Sequence, residues 1–273
     1  GDRVFGIIHE NGSTNSGFLV GDEGVIVIEA LETRRLAEMV KSEVRKVTEK
    51  PIRSVICTHF HGDHSLGNQH YMPAHVIGHT QCREEMIDRW DYSVDRFASR
   101  YDEKDPDQAS EHRNATCTPP DIVFDNDRLT MFLGDKRIEL YYFGKAHTTG
   151  DIVVYLPEDK VLYSGDVITE GKGVPYTADG FPANWAKVIA AIEELDIDLI
   201  VPGHGRLGDK SMAVIERELL AYIATTVRGQ FDSGVSPEEA SSVMINNGFD
   251  GNLHGDMLEI AIDRLYKEFS AVI

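Results

Sequence analysis

Cysteine is scarce in this chain: Cys57, Cys82 and Cys117 are all there is in 273 residues. Three scattered thiols build neither a disulfide framework nor a thiolate-based zinc finger. Long apolar runs are missing too, and none approaches the ~18 residues that a membrane span needs. Basic residues are few, 27 against 46 acidic ones, for a formal charge of −19. That imbalance argues against nucleic acid and anionic membrane as default partners, since both call for basic surface. Low-complexity segments and flexible linkers are absent, which favours one compact domain over residues 1–273. The 41% apolar content is enough to bury a core, so the composition is not that of a disordered chain. The chain begins at Gly1, as expected of a trimmed, cleaved or tagged product. Compartment is therefore not readable from the N-terminus: cytoplasmic, and periplasmic or secreted after loss of a signal, both stay open.

The elements that are present alternate. Val4 to Ile8, Phe18 to Val20 and Val25 to Ile28 read as a meander of strands. The turn chemistry of Asn11 to Gly17 separates the first two. Leu36, Val40, Val44 and Val47 recur at helical spacing and predict an amphipathic helix over about 33–47, ended by Pro51. A short apolar strand follows at 54–58. Met86, Trp90, Val94, Phe97 and Tyr101 form one helical stripe within 80–112. This segment is expected to be an inserted long helix with an acidic loop, Asp102 to Asp107, around Pro106. It serves either core packing or a lid over a site. Strands return at 122–124, 129–132, 138–143, 152–156 and 161–164. A helix is expected over about 184–195 with Asn184 as its N-cap, then a strand at 199–201. The C-terminal part, about 210–273, reads as helical. Ser236 to Glu239 forms a capping box, Asn247-Gly248 a helix stop, and a last helix spans about 253–270. Two similar halves of strands and helices make an α/β fold.

Histidine is not scarce: there are eleven. Three of them, with one carboxylate, fall within six residues, His59, His61, Asp63 and His64, directly after the strand 54–58. A single histidine is usually a satisfied polar residue. Four ligand-type side chains in one Gly-containing loop point instead to a metal, because imidazole and carboxylate suit zinc or iron where no thiolate is supplied. Three further candidates each follow an apolar strand in a Gly-bearing loop: His147, Asp166 and His204. Loops at strand ends are where α/β folds gather functional groups. Seven such ligands exceed what one zinc takes.

The ordered set His59, His61, Asp63, His64, His147, Asp166 and His204 resembles the signature of the metallo-β-lactamase superfamily. The resemblance covers roughly residues 4–205. It implies a four-layer αβ/βα sandwich with two metals, zinc in the first instance and iron or manganese as alternatives, in a cleft at the strand ends. It implies that His59, His61 and His147 hold one metal, that Asp63, His64 and His204 hold the other, and that Asp166 bridges both. A hydroxide between the metals would be the nucleophile, with Asp63 orienting it and carrying the proton to the leaving group. Glu29 occupies the place where the family usually has a supporting Asp. Cys57 beside the ligand loop is expected to be a buried, inert thiol.

The family divides into several chemistries. Its β-lactamases carry Cys or Ser at the place of Asp166, so β-lactam hydrolysis is expected only as a promiscuous activity. Its acyl-homoserine lactonases carry Tyr where this chain has Thr169. Its glyoxalase II members use a basic cluster, and the sequence shows no such cluster. What remains is a hydrolase of an ester, lactone, thioester or amide-type bond in a small-molecule substrate. Long-range steering by the net charge would favour a neutral or cationic one. A mononuclear iron dioxygenase of the same fold and a non-catalytic metal-stabilised binding protein are the competing classes. Substrate contacts are expected from the Asn11 to Gly17 turn, from Trp90 and Tyr92, and from the loop Gly171 to Phe181. Oligomeric state is not legible.

Overall fold

Alternation within the strands sets the layering. The computed structural model describes residues 3–9, 13–170, 173–246, 249 and 256–270. Its first sheet runs in the order β1 (Val4–Ile7), β2 (Ser16–Val20), β3 (Val25–Ile28), β4 (Ile52–Ile56), β5 (His75–His79) and β6 (Ile122–Phe124). It is antiparallel as far as β3 and parallel from there on. The second sheet comprises β7 (Arg128–Leu133), β8 (Lys136–Tyr141), β9 (Val153–Leu156), β10 (Val161–Gly165) and β11 (Leu199–Pro202). Only its β10–β11 pair is parallel.

In β3, Ile26 and Ile28 face the second sheet, where they meet Ile138, Leu140, Val154 and Leu156 in a shared core. Val25 and Val27 point the other way, onto Ala37, Val40 and Val44 of helix α1 (Arg34–Val47). In β9, Val154 and Leu156 face inward, while Val153 and Tyr155 face a helical layer built around Trp185, Ile189 and Leu220. Those residues come from α6 (Pro182–Glu193) and α7 (Ser211–Asp232). The layers are therefore helix, sheet, sheet, helix, the αβ/βα sandwich that the sequence implied. Central strands covered on both faces read as continuous apolar runs, as VIVI and VVYL do here.

Three expectations are corrected. The stripe over 80–112 is not one long helix. Arg89, at φ −110° and ψ 15°, interrupts it, leaving α3 (Thr80–Asp88) and α4 (Trp90–Ser99); α2 (Gly62–Ser65) precedes both. Pro106 does not centre a loop but opens α5 (Pro106–Arg113), where Asp105 accepts from Gln108 N and caps the helix. Proline at the first helical position replaces an N–H that would have no partner. Nor does Asn184 cap α6: Phe181 is the capping residue. The N–H groups of Ala183 and Asn184 are taken by the Glu268 carboxylate, at 3.1 and 3.2 Å. Glu268 comes from α9 (Met257–Ser270), which packs with α7 and α8 (Pro237–Asn246) around Ile223, Val227 and Leu258. The capping box at Ser236 and Glu239 forms. The Asn247-Gly248 stop and residues 253–255 lie outside the described residues. So do Asn11, Gly12, Gly171 and Lys172 of the two loops expected near the site.

Candidate metal centre

The ligand-type residues sit where strands of both sheets end. The loop after β4 carries His59, His61, Asp63 and His64, the last two within α2. Thr58 O accepts from Ile152 N at 2.9 Å, which locks this loop to the second sheet. His147 follows β8 in a turn held by Asp151, whose carboxylate accepts from Thr148 N and Thr148 Oγ1, both at 2.7 Å. Burial raises Asp151 to about 6 in spite of those hydrogen bonds. Asp166 follows β10 through Gly165, a left-handed residue at φ +50°. His204 follows β11 through Gly203. A Cβ on Gly203 would stand 1.9 Å from Asp166 Oδ1, so only glycine fits there.

All seven converge. His61 Nδ1 lies 3.2 Å from His59 Nε2 and 2.8 Å from His147 Nε2. Asp166 Oδ2 is 3.9 and 3.4 Å from those two Nε2 atoms. Around the second focus, His204 Nε2 is 3.2 Å from Asp63 Oδ2 and 3.4 Å from His64 Nε2. Asp166 reaches this focus too, 3.2 Å from His64 Nε2 and 3.4 Å from His204 Nε2. Ligands of a tetrahedral zinc at ~2.0 Å stand ~3.3 Å apart, so the spacing fits a cation at each focus. Burial, and for His59 also the neighbouring His64, lowers His59, His61 and His147, which keeps three imidazoles neutral with lone pairs converging. Burial disfavours charge on Asp166, but His204 and His64 outweigh it and hold the carboxyl well below its usual range. His204 is pushed up to about 10, since Asp166 and Asp63 outweigh the effect of burial. The donor chemistry and spacing fit metal.

Outer contacts fix the rings. Glu29 Oε1 lies 3.3 Å from His64 Nδ1 and accepts from Thr58 Oγ1. Thr58 Oγ1 in turn stands 3.1 Å from His59 Nδ1. Each contact turns an Nε2 toward the centre. His61 is reversed: it turns Nδ1 inward while its Nε2 meets Asp179 Oδ2 at 3.0 Å. Burial would raise Asp179, but His61 and Arg89 hold it far below its usual range. Sequence reading missed Asp179, which lies in a long loop without motif. It also missed Thr14, whose Oγ1 donates to Asp63 Oδ2 at 2.9 Å. The described part of the Asn11 to Gly17 turn packs against the His204 loop, where Asn15 Nδ2 donates to Pro202 O and Gly205 O. Cys57 is fully buried with Cys82 and Met86, as an inert thiol should be.

A cleft of about 680 Å³ opens beside the ligands. Its wall includes Val174, Pro175 and Tyr176 from the loop expected to line it. The wall at the C-terminal end of α4 consists of Arg96, Phe97 and the capping Arg100, whereas Trp90 packs against the Cys57, Phe60 and Met86 cluster. The absence of a basic cluster, read from the sequence, is corrected here. Arg89, Arg96 and Arg100 fall within twelve residues of sequence; Arg96 and Arg100, four apart, share one cleft wall, and Arg89 shares Asp179 with Arg96. Among the described residues no helix is long and apolar enough to cross a membrane.

Comparison with known proteins agrees with this geometry. The model of the metallo-beta-lactamase superfamily matches residues 9–204. A linear primary-alkylsulfatase from Pseudomonas sp. is 25% identical over 252 residues, covering 80% of this chain and 47% of its own length. A metallo-beta-lactamase type 2 from Bacillus sp. is 26% identical over 212 residues, covering 76% and 72%. Among solved structures, a stereoselective inverting sec-alkylsulfatase from Pseudomonas sp. superposes with a TM-score of 0.77 at 16% identity. That match covers 97% of this chain and 49% of the other. The chain thus spans about half the length of the alkylsulfatases it matches.

Proposed function

The chain belongs to the metallo-beta-lactamase superfamily, and from that premise we propose that it is a hydrolase with a two-metal centre, zinc in the first instance, acting on an ester, lactone, thioester or amide-type bond of a small molecule. One observation carries the two-metal reading. The single carboxylate of Asp166 lies within 3.4 Å of a ring nitrogen in each donor group, His147 in one and His64 and His204 in the other. When bound, the metals supply Lewis acidity and a water that ionises near neutral pH.

The chain's own residues do the rest. His59, His61 and His147 would hold one cation, Asp63, His64 and His204 the other, and Asp166 would serve both. Asp63 faces the cleft and is positioned by the Thr14 hydroxyl. It is the group placed to take a proton and pass it to the leaving group. Phe97, Val174 and Pro175 give the cleft an apolar part to its lining. Asp166 supports hydrolysis of bonds other than β-lactams as the main activity, by the family resemblance.

The test is chelation followed by stepwise zinc addition, assayed on ester, lactone, thioester and β-lactam substrates. The expected outcome is loss of at least one hydrolytic activity on chelation and its recovery at two equivalents of zinc. Activity that survives complete metal removal would sink the proposal. Oxygen consumption by a one-iron form would replace it with the dioxygenase reading.

A further inference from the structure

Resting on the hydrolase reading, we infer that the substrate carries a permanent negative charge, an oxyanion group that Arg96 and Arg100 bind on the cleft wall away from the reacting bond. Arg96 lies in the last turn of α4 and Arg100, four residues on, caps its C-terminus, and both line the same cleft as the ligands. Like charges at this spacing destabilise a helix end. The packing of α4 does not require them, because Phe97 makes that contact: a Cβ on Gly62 would stand 2.7 Å from its ring.

Aromatic faces hold both guanidiniums in place. Arg96 lies 4.6 Å over Tyr176 and Arg100 lies 4.2 Å over Phe97. One acid, Asp179, approaches Arg96, and it is shared. Asp179 stands 3.7 Å from Arg96 but is already engaged by His61 at 3.0 Å and Arg89 at 2.7 Å. Among the described residues no ion pair is formed by Arg100. Glu32, which feels its charge, accepts instead from Tyr101 and Gln108. Glu170, the acid in the wall outside the ligand set, pairs with Arg206. Two stacked, preorganised guanidiniums in a chain of net charge −19 suit an oxyanion, which they meet with planar, charge-assisted hydrogen bonds. The apolar stretch of Val174, Pro175 and Met257 beside them suits an alkyl chain.

The test uses the metal-loaded protein and octanesulfonate, which cannot be hydrolysed, with binding measured by calorimetry against octanol. Arg96→Gln and Arg100→Gln are each expected to weaken sulfonate binding by about 10-fold, with Arg100→Lys restoring part of it. Octanol binding should shift far less, and metal content should stay at the wild-type value. A kinetic arm compares mono-p-nitrophenyl suberate, with a remote carboxylate, with neutral p-nitrophenyl octanoate. The preference for the charged ester should collapse in Arg100→Gln, chiefly through KM. Equal sulfonate affinity in wild type and folded, metal-replete variants would overturn the inference. Should Arg96→Gln fail to fold, the exposed Arg100 alone decides. Ester cleavage with no charge preference would remove the anion site and leave the hydrolase reading standing. Arginine-dependent sulfonate binding without any ester cleavage would do the reverse.

Discussion

Glu29 shows how far one residue departs from its local preference to serve the site. Its φ is +65°, a conformation that costs a non-glycine residue about 1 kcal/mol or more. It is buried at 3% exposure, with its carboxylate between Thr58 and His64. Glu29→Gln keeps the shape and removes the charge that holds His64 Nδ1. It is expected to weaken the metal at the Asp63, His64 and His204 focus by 10–100-fold, read by competition with a chromophoric chelator. Unchanged affinity for both metals would show that Glu29 only fills space. At this scale the cluster of seven His and Asp residues was legible in sequence, because its members are specific side chains in strand-end loops. Asp179 and Thr14 were not, because their roles depend on contacts between segments 49 and 118 residues apart and no local pattern encodes those; the spacing of Arg96 and Arg100 was visible, but not that the fold turns them to the cleft.

Among the elements, α7 acts on the site from behind. Its Glu216 is fully buried, and Oε2 accepts from Thr169 N and Oγ1 at 2.7 and 3.0 Å, bracing the loop that carries Asp166. Burial pushes Glu216 up to about 8 from an ordinary 4.5. The folded chain therefore keeps a proton that the unfolded chain releases, and this group's contribution to stability falls as pH rises from about 5 to 8. Glu216→Gln removes that dependence. Relative to wild type, its Tm should be several degrees higher at pH 8 than at pH 5 by calorimetry. An identical difference at both pH values would place the carboxyl in its ordinary range. Elements with strong periodicity were legible: α1, the β2–β3 hairpin and the strands of the second sheet lie within a few residues of expectation. The segment 80–112 was not. A continuous apolar stripe says which face is buried but is blind to a backbone break such as the one at Arg89. Likewise the first free N–H groups of α6, on Ala183 and Asn184, are taken by Glu268, from a helix more than 80 residues away.

Across the whole molecule, the candidate centre ties two halves together. Four of the seven clustered residues come from the end of the first sheet and three from the end of the second, so a metal bound among them would cross-link the sandwich. Removing it is expected to lower Tm by roughly 10 °C, from a binding contribution of about 4 kcal/mol in a chain of this size. A Tm unmoved by chelation would mean that the sandwich holds without it. The net charge of −19 pointed to a neutral or cationic substrate, yet charge summed over a surface says little about a cleft whose wall carries Arg96 and Arg100. The measurement closest to the central claim is the zinc stoichiometry of the metal-free chain, titrated calorimetrically in wild type and in Asp166→Ala. Two zinc ions per wild-type chain and fewer than one tightly bound in the variant are expected. A single ion per wild-type chain, or two retained with full affinity without Asp166, would contradict a centre built on one shared carboxylate.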